Sequence, residues 1–331
     1  MISFKVISES SANEISKISV NEAIEKIVLI GMGASNANTQ AIMSFINYSK
    51  REILYLFSLE QYEIDLLLKG ATSNNTLFLA ISKSGSTDEV LQILNYVLSK
   101  FPEARYFIVT SSLNSKLGNM TDKIKDATFI QYEETISGRF SILQNASLIA
   151  PYFAGGEPFT LMKQINYNDN DDVNLLIEFM DSNTKRGRNI MIISFYNKKL
   201  EGFAIWLRQI IAESLGKNGF GITPIISYGS VCEHSQMQLY QDGPDDKFYY
   251  ILSQEKIEQN HNLDFALQLH SEYFISFLRK FNRPIFIEKE VNINLLPKWM
   301  KAIEKFAEMK NLNPFDQDSV EQMKSLVKQG K

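Results

Sequence analysis

Short unbroken apolar runs alternate with longer stretches in which apolar residues recur every three or four positions. The runs are EKIVLIG (25–31), EILYLF (52–57), TLFLAIS (76–82), RYFIVTS (105–111) and DATFIQYEE (126–134), then RNIMIISFY (188–196), ITPIISYG (222–229), KFYYILS (247–253) and RPIFIEKE (283–290). Runs of this length with no polar alternation are strands buried on both faces, as in a parallel sheet covered by helices. The stretches between them read as those helices: 35–50 with Ser35 or Asn36 as N-cap, 59–70, 88–101, 199–215, 263–281 and 295–310. Residues 142–154 read as a connecting helix and 318–331 as a last one. The pattern predicts an α/β protein with two doubly wound α-β-α sandwich units. It places the first unit at 1–155, the second at 156–312, and a returning loop and helix at 313–331.

Composition narrows the function classes. The chain has 331 residues, 44% hydrophobic and 22% charged, long enough for two domains with large cores. A net charge of -4 gives no basic surplus for a phosphate backbone, which argues against a nucleic-acid partner. No apolar run reaches membrane-spanning length, so no membrane partner is expected. The N-terminal MISFKVISES lacks the charged and apolar regions of a secretion signal. The single cysteine, Cys232, fits a reducing cytoplasm. The three histidines, His234, His261 and His270, form no cluster with metal-ligand spacing, so neither a metal nor another cofactor is expected. His261 and His270 read as structural or surface residues.

Two glycine- and hydroxyl-rich turns carry the first candidate chemistry. In ISKSGSTDEV a strand ends at Ile81, and Ser82, Lys83, Ser84, Gly85, Ser86 and Thr87 lead into a helix. Hydroxyls, a glycine-permitted turn and the open N–H groups of the next helix suit an oxyanion. GMGAS (31–35), with Gly33 and Ser35, ends a neighbouring strand in the same way. A dinucleotide site is disfavoured: Gly31-Met-Gly33 lacks the third glycine, and no acidic residue ends the next strand. Plain helix capping by the Ser and Thr residues is the competing reading.

In the second half, Glu213 lies on a helix whose neighbours on that side, Trp206 and Ile210, are apolar, which would desolvate it and raise its pKa as a general base needs. His234 follows a strand and precedes the helical HSQMQLY. Gln209 stands one helical turn before Glu213, and Arg139 offers a permanent charge in a glycine-containing loop.

Six blocks in order, GMGAS, ISKSGSTDEV, SGRFS (137–141), AESLGK, CEHSQMQLYQDGP and NPFDQDSVEQMK, resemble the phosphoglucose isomerase family in a short bacterial-type form with two sugar-isomerase (SIS) domains. The resemblance covers nearly all of the chain. It implies aldose-ketose isomerisation of D-glucose 6-phosphate and D-fructose 6-phosphate through a cis-enediol, without a metal. Ser35, Ser82, Lys83, Ser84 and Thr87, with Gly33, would hold the phosphate. Glu213 would move the proton between C2 and C1, His234 and Lys324 would assist ring opening, and Arg139 would stabilise the enediolate. Gln209 and Gln317 would line the sugar site. The histidine would come from the partner subunit of a homodimer. Alternatives are a dual phosphoglucose/phosphomannose isomerase and a non-catalytic phosphosugar-binding SIS protein. Ala34, Asn38 and Ser137 depart from the family's usual glycines, and an N-terminal portion of longer members has no counterpart here.

Overall fold

The computed structural model describes residues 14–133, 137–165, 171–253 and 262–329. The chain divides into two compact units, Met1–Tyr167 and Asn168–Lys331. Among the described residues each is built on one fully parallel sheet.

The first unit runs β1 (Lys26–Gly31), α1 (Ala34–Met43), β2 (Glu52–Leu56), α2 (Gln61–Leu67), β3 (Thr76–Ile81), α3 (Asp88–Lys100), β4 (Arg105–Thr110), β5 (Ala127–Gln131), α4 (Asn145–Phe153) and α5 (Pro158–Met162). Its strand order is β2-β1-β3-β4-β5. Every residue of β3 is buried. One face of the sheet, with Val28, Phe78 and Ile108, packs on Ile64 of α2 and on Val90, Ile93 and Val97 of α3. On the other, Phe107 meets Phe153 of α4, and α4 packs on α1. Successive strand residues point to opposite faces, so unbroken apolar runs serve both.

The second unit runs α6 (Asp171–Lys185), β6 (Ile190–Phe195), α7 (Glu201–Leu215), β7 (Thr223–Tyr228), α8 (Gly229–Asp242), β8 (Lys247–Leu252), α9 (Asn262–Lys280), β9 (Ile285–Glu288), α10 (Leu295–Met309) and α11 (Asp318–Gln329). Its strand order is β7-β6-β8-β9. Phe248 and Tyr250 point to one face, against Phe179 of α6 and Trp299 of α10. Tyr249 and Ile251 point to the other, against Tyr240 of α8 and Phe274 of α9. Because α7 packs on α10, α7 and α8 lie on opposite faces of one sheet.

Several boundaries differ from the sequence reading. Helix α1 begins at Ala34 with Gly33 as N-cap, so neither Ser35 nor Asn36 caps it. It ends at Met43 rather than 50, where Ser44 Oγ donates to Gln40 O at 3.1 Å and competes with the continuing helix. The connecting helix is shorter than 142–154, spanning Asn145–Phe153. The end of the 126–134 run, His261 and residues 330–331 lie outside the described residues.

Candidate active site

In the first unit β1 and β3 are neighbours, with Gly31 in register with Ile81. The chain leaves β1 towards β2 on one side, while β3 lies on the other. That makes the β1/β3 edge a topological switch point, where the strand ends of open α/β sheets leave a crevice. The turns after both strands open there.

Gly33 has φ 55° and ψ −123°, a conformation that disfavours a Cβ, and it hands the chain to α1 without a side-chain cap. Helix α3 also lacks one. Thr87 sits at its N-cap, but its Oγ1 pairs with Ser82 Oγ at 2.8 Å. The reading of these hydroxyls as plain helix caps is therefore set aside. Two uncapped helix N-termini face an edge carrying Ser35 and Ser82, which is the arrangement an oxyanion needs.

The Ser82–Thr87 turn is held from below. Ser82 N donates to Val109 O at 3.0 Å, Ser111 N to Lys83 O at 3.2 Å and Leu117 N to Gly85 O at 2.9 Å. Gly85 has φ 60°, and a Cβ there would lie 2.1 Å from Ser115 Oγ. Ser115 Oγ also accepts from Gly118 N at 3.0 Å. Thr110, whose Oγ1 donates to Lys83 O at 3.4 Å, supports the turn with Ser115 and Leu117, a role visible only once β3 and β4 are paired. Ser84 is exposed at the tip and accepts from Ser86 Oγ at 3.1 Å, and Lys83 is half-buried beside it.

Arg139 is held in a 3-10 turn, Gly138–Phe140, and is only 1% exposed. Ala34 and Ser137 fit without strain. Ser137 has φ −54°, open to any residue, and Ala34 Cβ stands 3.4 Å from where a Gly138 Cβ would be. Asn38 is wholly buried, with its amide nitrogen 3.0 Å from Gly138 O.

In the second unit α7 buries Phe203, Trp206, Leu207, Ile210 and Ile211. Glu213 is half-buried rather than enclosed by that apolar face. Gln209 Nε2 donates to Glu213 Oε1 at 2.7 Å, as the one-turn spacing anticipates. Just beyond, the Lys217 ammonium donates to Asp316 O at 2.9 Å, to Asp316 Oδ1 and to Asn313 O. This clasp fixes the loop that leads into Gln317, and it offers no sequence signal beyond the lysine of AESLGK. Lys324 lies on α11, and its side chain is outside the described residues.

His234 does not precede its helix. Helix α8 starts at Gly229, straight from β7, so His234 sits in its second turn and is exposed. The adjacent Glu233 is anchored: Tyr196 OH donates to Oε1 at 2.5 Å, and His270 Nδ1 lies 2.8 Å from Oε2. Burial first, then the Glu233 carboxylate, pushes the Tyr196 hydroxyl's pKa far up, so it remains a donor. His270 is therefore tied to the helix carrying His234, which its sequence context does not reveal.

Comparison with known proteins bears on this arrangement. No family model matches the chain. The chain is 30% identical to the probable glucose-6-phosphate isomerase of Methanococcus maripaludis over 270 residues, 74% of this chain and 60% of that protein. It is 30% identical to the glucose-6-phosphate isomerase of Methanocaldococcus jannaschii over 257 residues, 73% of this chain and 63% of the relative. The chain is thus similar to glucose-6-phosphate isomerases and spans about three-fifths of the length of these two relatives. In fold it matches a solved glucose-6-phosphate isomerase of Chlamydia trachomatis with a TM-score of 0.76 at 17% identity, covering 98% of this chain and 72% of that one. The paired parallel sheets are thus of the SIS type shared by phosphosugar isomerases. Among the described residues no helix is long and apolar enough to cross a membrane.

Proposed function

We propose that the chain interconverts D-glucose 6-phosphate and D-fructose 6-phosphate by proton transfer through a cis-enediol. Similarity to glucose-6-phosphate isomerases supports the reaction class, and the glycines, hydroxyls and helix N-termini gathered at the β1/β3 edge support an anionic substrate. The phosphate lies at Gly33, Ser35 and the Ser82–Thr87 turn, where N–H groups and hydroxyls converge. Glu213 takes a proton from C2 and returns it to C1, its carboxylate oriented by Gln209. Arg139 balances the negative charge that develops as the enediolate forms, an interaction stronger in the transition state than before it. His234 and Lys324 serve ring opening, and Gln317 holds sugar hydroxyls. A carboxylate base and a fixed guanidinium suffice for this transfer, and the reading assigns no step to a metal.

The position of His234 carries a further part of this reading. Glu213 and His234 sit on helices covering opposite faces of one sheet, so within a chain they do not reach one atom. If both act on one sugar, the histidine comes from a second copy. The outward side of α8 suits such a copy: beside His234 it exposes Val231 (59%) and Leu239 (45%), and the neighbouring edge strand exposes Ile225 (38%). We therefore read the active form as a homodimer with shared sites, working in the cytoplasm, where the lone Cys232 stays reduced.

A coupled assay on the purified protein tests the reaction. Turnover of fructose 6-phosphate is expected to fall about 10³-fold in Glu213→Gln, the scale of a lost general base. A rate equal to that of the variant would refute the assignment.

A further inference from the structure

Behind Arg139 lies a buried polar network that the assigned roles leave unused. Asn38, on α1, is 0% exposed. Its Nδ2 lies 3.0 Å from Gly138 O, 3.3 Å from Ser141 Oγ and 3.2 Å from Ser147 Oγ. Ser141 Oγ donates in turn to Gly138 O at 2.6 Å and lies 2.9 Å from Tyr132 OH. Ser147 Oγ donates to Ser141 O at 3.1 Å. All four side chains are buried, so the network is sealed from water that could replace a missing partner.

The amide has one workable orientation. Gly138 O only accepts, so the atom facing it must be the nitrogen; the reverse orientation would set two acceptors 3.0 Å apart. In that orientation Asn38 Oδ1 is buried without a partner. An orphaned buried acceptor is unfavourable and persists where the other half of the amide does something that compensates. That half grips the carbonyl of the residue preceding Arg139. It links α1, which begins at Gly33 in the candidate phosphate edge, directly to the turn bearing the guanidinium.

We propose that Asn38 is a positioning residue for Arg139, fixing the Gly138–Phe140 turn relative to α1 so that the guanidinium is preorganised for developing negative charge. This rests on the isomerase reading for its kinetic consequence, although not for its structural one. Asn38 touches no substrate; it acts through Gly138. Preorganisation matters most in the transition state, so loosening the turn lowers kcat more than it raises KM.

The test uses full-length Asn38→Ala, with two readouts. In the isomerase assay, kcat falls about tenfold with KM within about twofold of the parent, the scale of one lost buried hydrogen bond. Independently, Arg139 is labelled by a dicarbonyl reagent specific for guanidinium groups and followed by mass spectrometry. Labelling is slow in the parent, where Arg139 is 1% exposed, and is expected to quicken about tenfold in the variant. Should Asn38→Ala not fold, Ser141→Ala serves. It removes one acceptor and one bond to Gly138 O while leaving the Asn38 contact, and gives the same two changes in smaller degree. Arg139 labelled at the parental rate in a folded variant overturns the proposal, as does a raised KM with kcat unchanged. If the parent shows no isomerase activity, the labelling alone decides this inference, so the two readings fail separately.

Discussion

In the first unit the order β2-β1-β3-β4 leaves the carboxyl ends of β1 and β3 side by side, and glycines, serines and uncapped helix starts occupy them. In the second, β7-β6-β8-β9 is the same order, yet polar groups near its strand ends pair with its own side chains. There Tyr196 OH meets Glu233, and Tyr250 OH and the Lys298 ammonium meet Glu288 at 3.0 and 2.6 Å. Helix starts lack a side-chain cap in both units; the first adds glycines and hydroxyls at its strand ends, whereas the second pairs Glu233 and Glu288 with its own side chains. The second unit instead carries its proposed catalytic residues on its helices, Glu213 near the end of α7 and His234 on α8. A shared topology thus fixes where a site can be, whereas side-chain size and hydrogen-bond satisfaction decide whether one is there.

This contrast breaks first at Gly85. A methyl there meets Ser115 and Thr110 at positive φ, so Gly85→Ala should distort the cradle while leaving the second unit intact. Phosphate affinity, read by competitive inhibition with inorganic phosphate, should drop about 100-fold or more, corresponding to some 3 kcal/mol. Unchanged affinity would mean that the first unit's edge is not the anion site. Lys298→Met probes the paired polar groups at the end of β9. It leaves the buried Glu288 carboxylate without its cation, which costs about 3 kcal/mol in chemical denaturation. Activity per folded molecule should be untouched. If activity falls instead with stability unchanged, that strand end is a site and the contrast fails.

Much of this division was legible in the chain. The β3 run TLFLAI is apolar throughout because both its faces are covered, and its boundaries were read almost to the residue. The Ser82–Thr87 turn stood out because a glycine and hydroxyls sit between a strand and a helix. What escaped detection depended on tertiary partners. Helix α8 carries apolar residues on its outward side, so it lacks the one-sided pattern that marks a helix, and the sequence pattern sets His234 ahead of it. Its start at Gly229 reflects the Tyr196 ring, which a Cβ would meet at 2.5 Å, a contact no local pattern announces. Asn38 stood out only as an unusual residue in a glycine-rich segment; its bond to Gly138 spans 100 residues of sequence. Lys217 and His270 likewise gain their meaning from partners far along the chain.

The smallest effect concerns how the second unit is held together away from its chemistry. Asp181 on α6 is bound by Lys185 and by Lys310, and these hydrogen-bonded cations hold its carboxyl below the usual range. A depressed folded-state pKa adds stability above the unfolded value, near pH 4, and that stability is lost as pH falls through the folded value. Lys185 is exposed and screened, whereas Lys310 is largely buried, so Asp181→Asn should cost about 1 kcal/mol at neutral pH. Denaturation curves of parent and variant should converge as pH drops well below 4. A difference that persists in acid would show that packing rather than charge is responsible.

In the proposed mechanism Glu213 and His234 serve different sites although both belong to the second unit. Co-expression of Glu213→Gln with His234→Ala chains, followed by purification of the mixed species on two different tags, tests this directly. With shared sites, each mixed dimer has one site with both defects and one with neither. Two inactive parents should therefore yield a hybrid with about half the parental activity. A hybrid as inactive as its parents would place both residues in one chain's site and contradict the account.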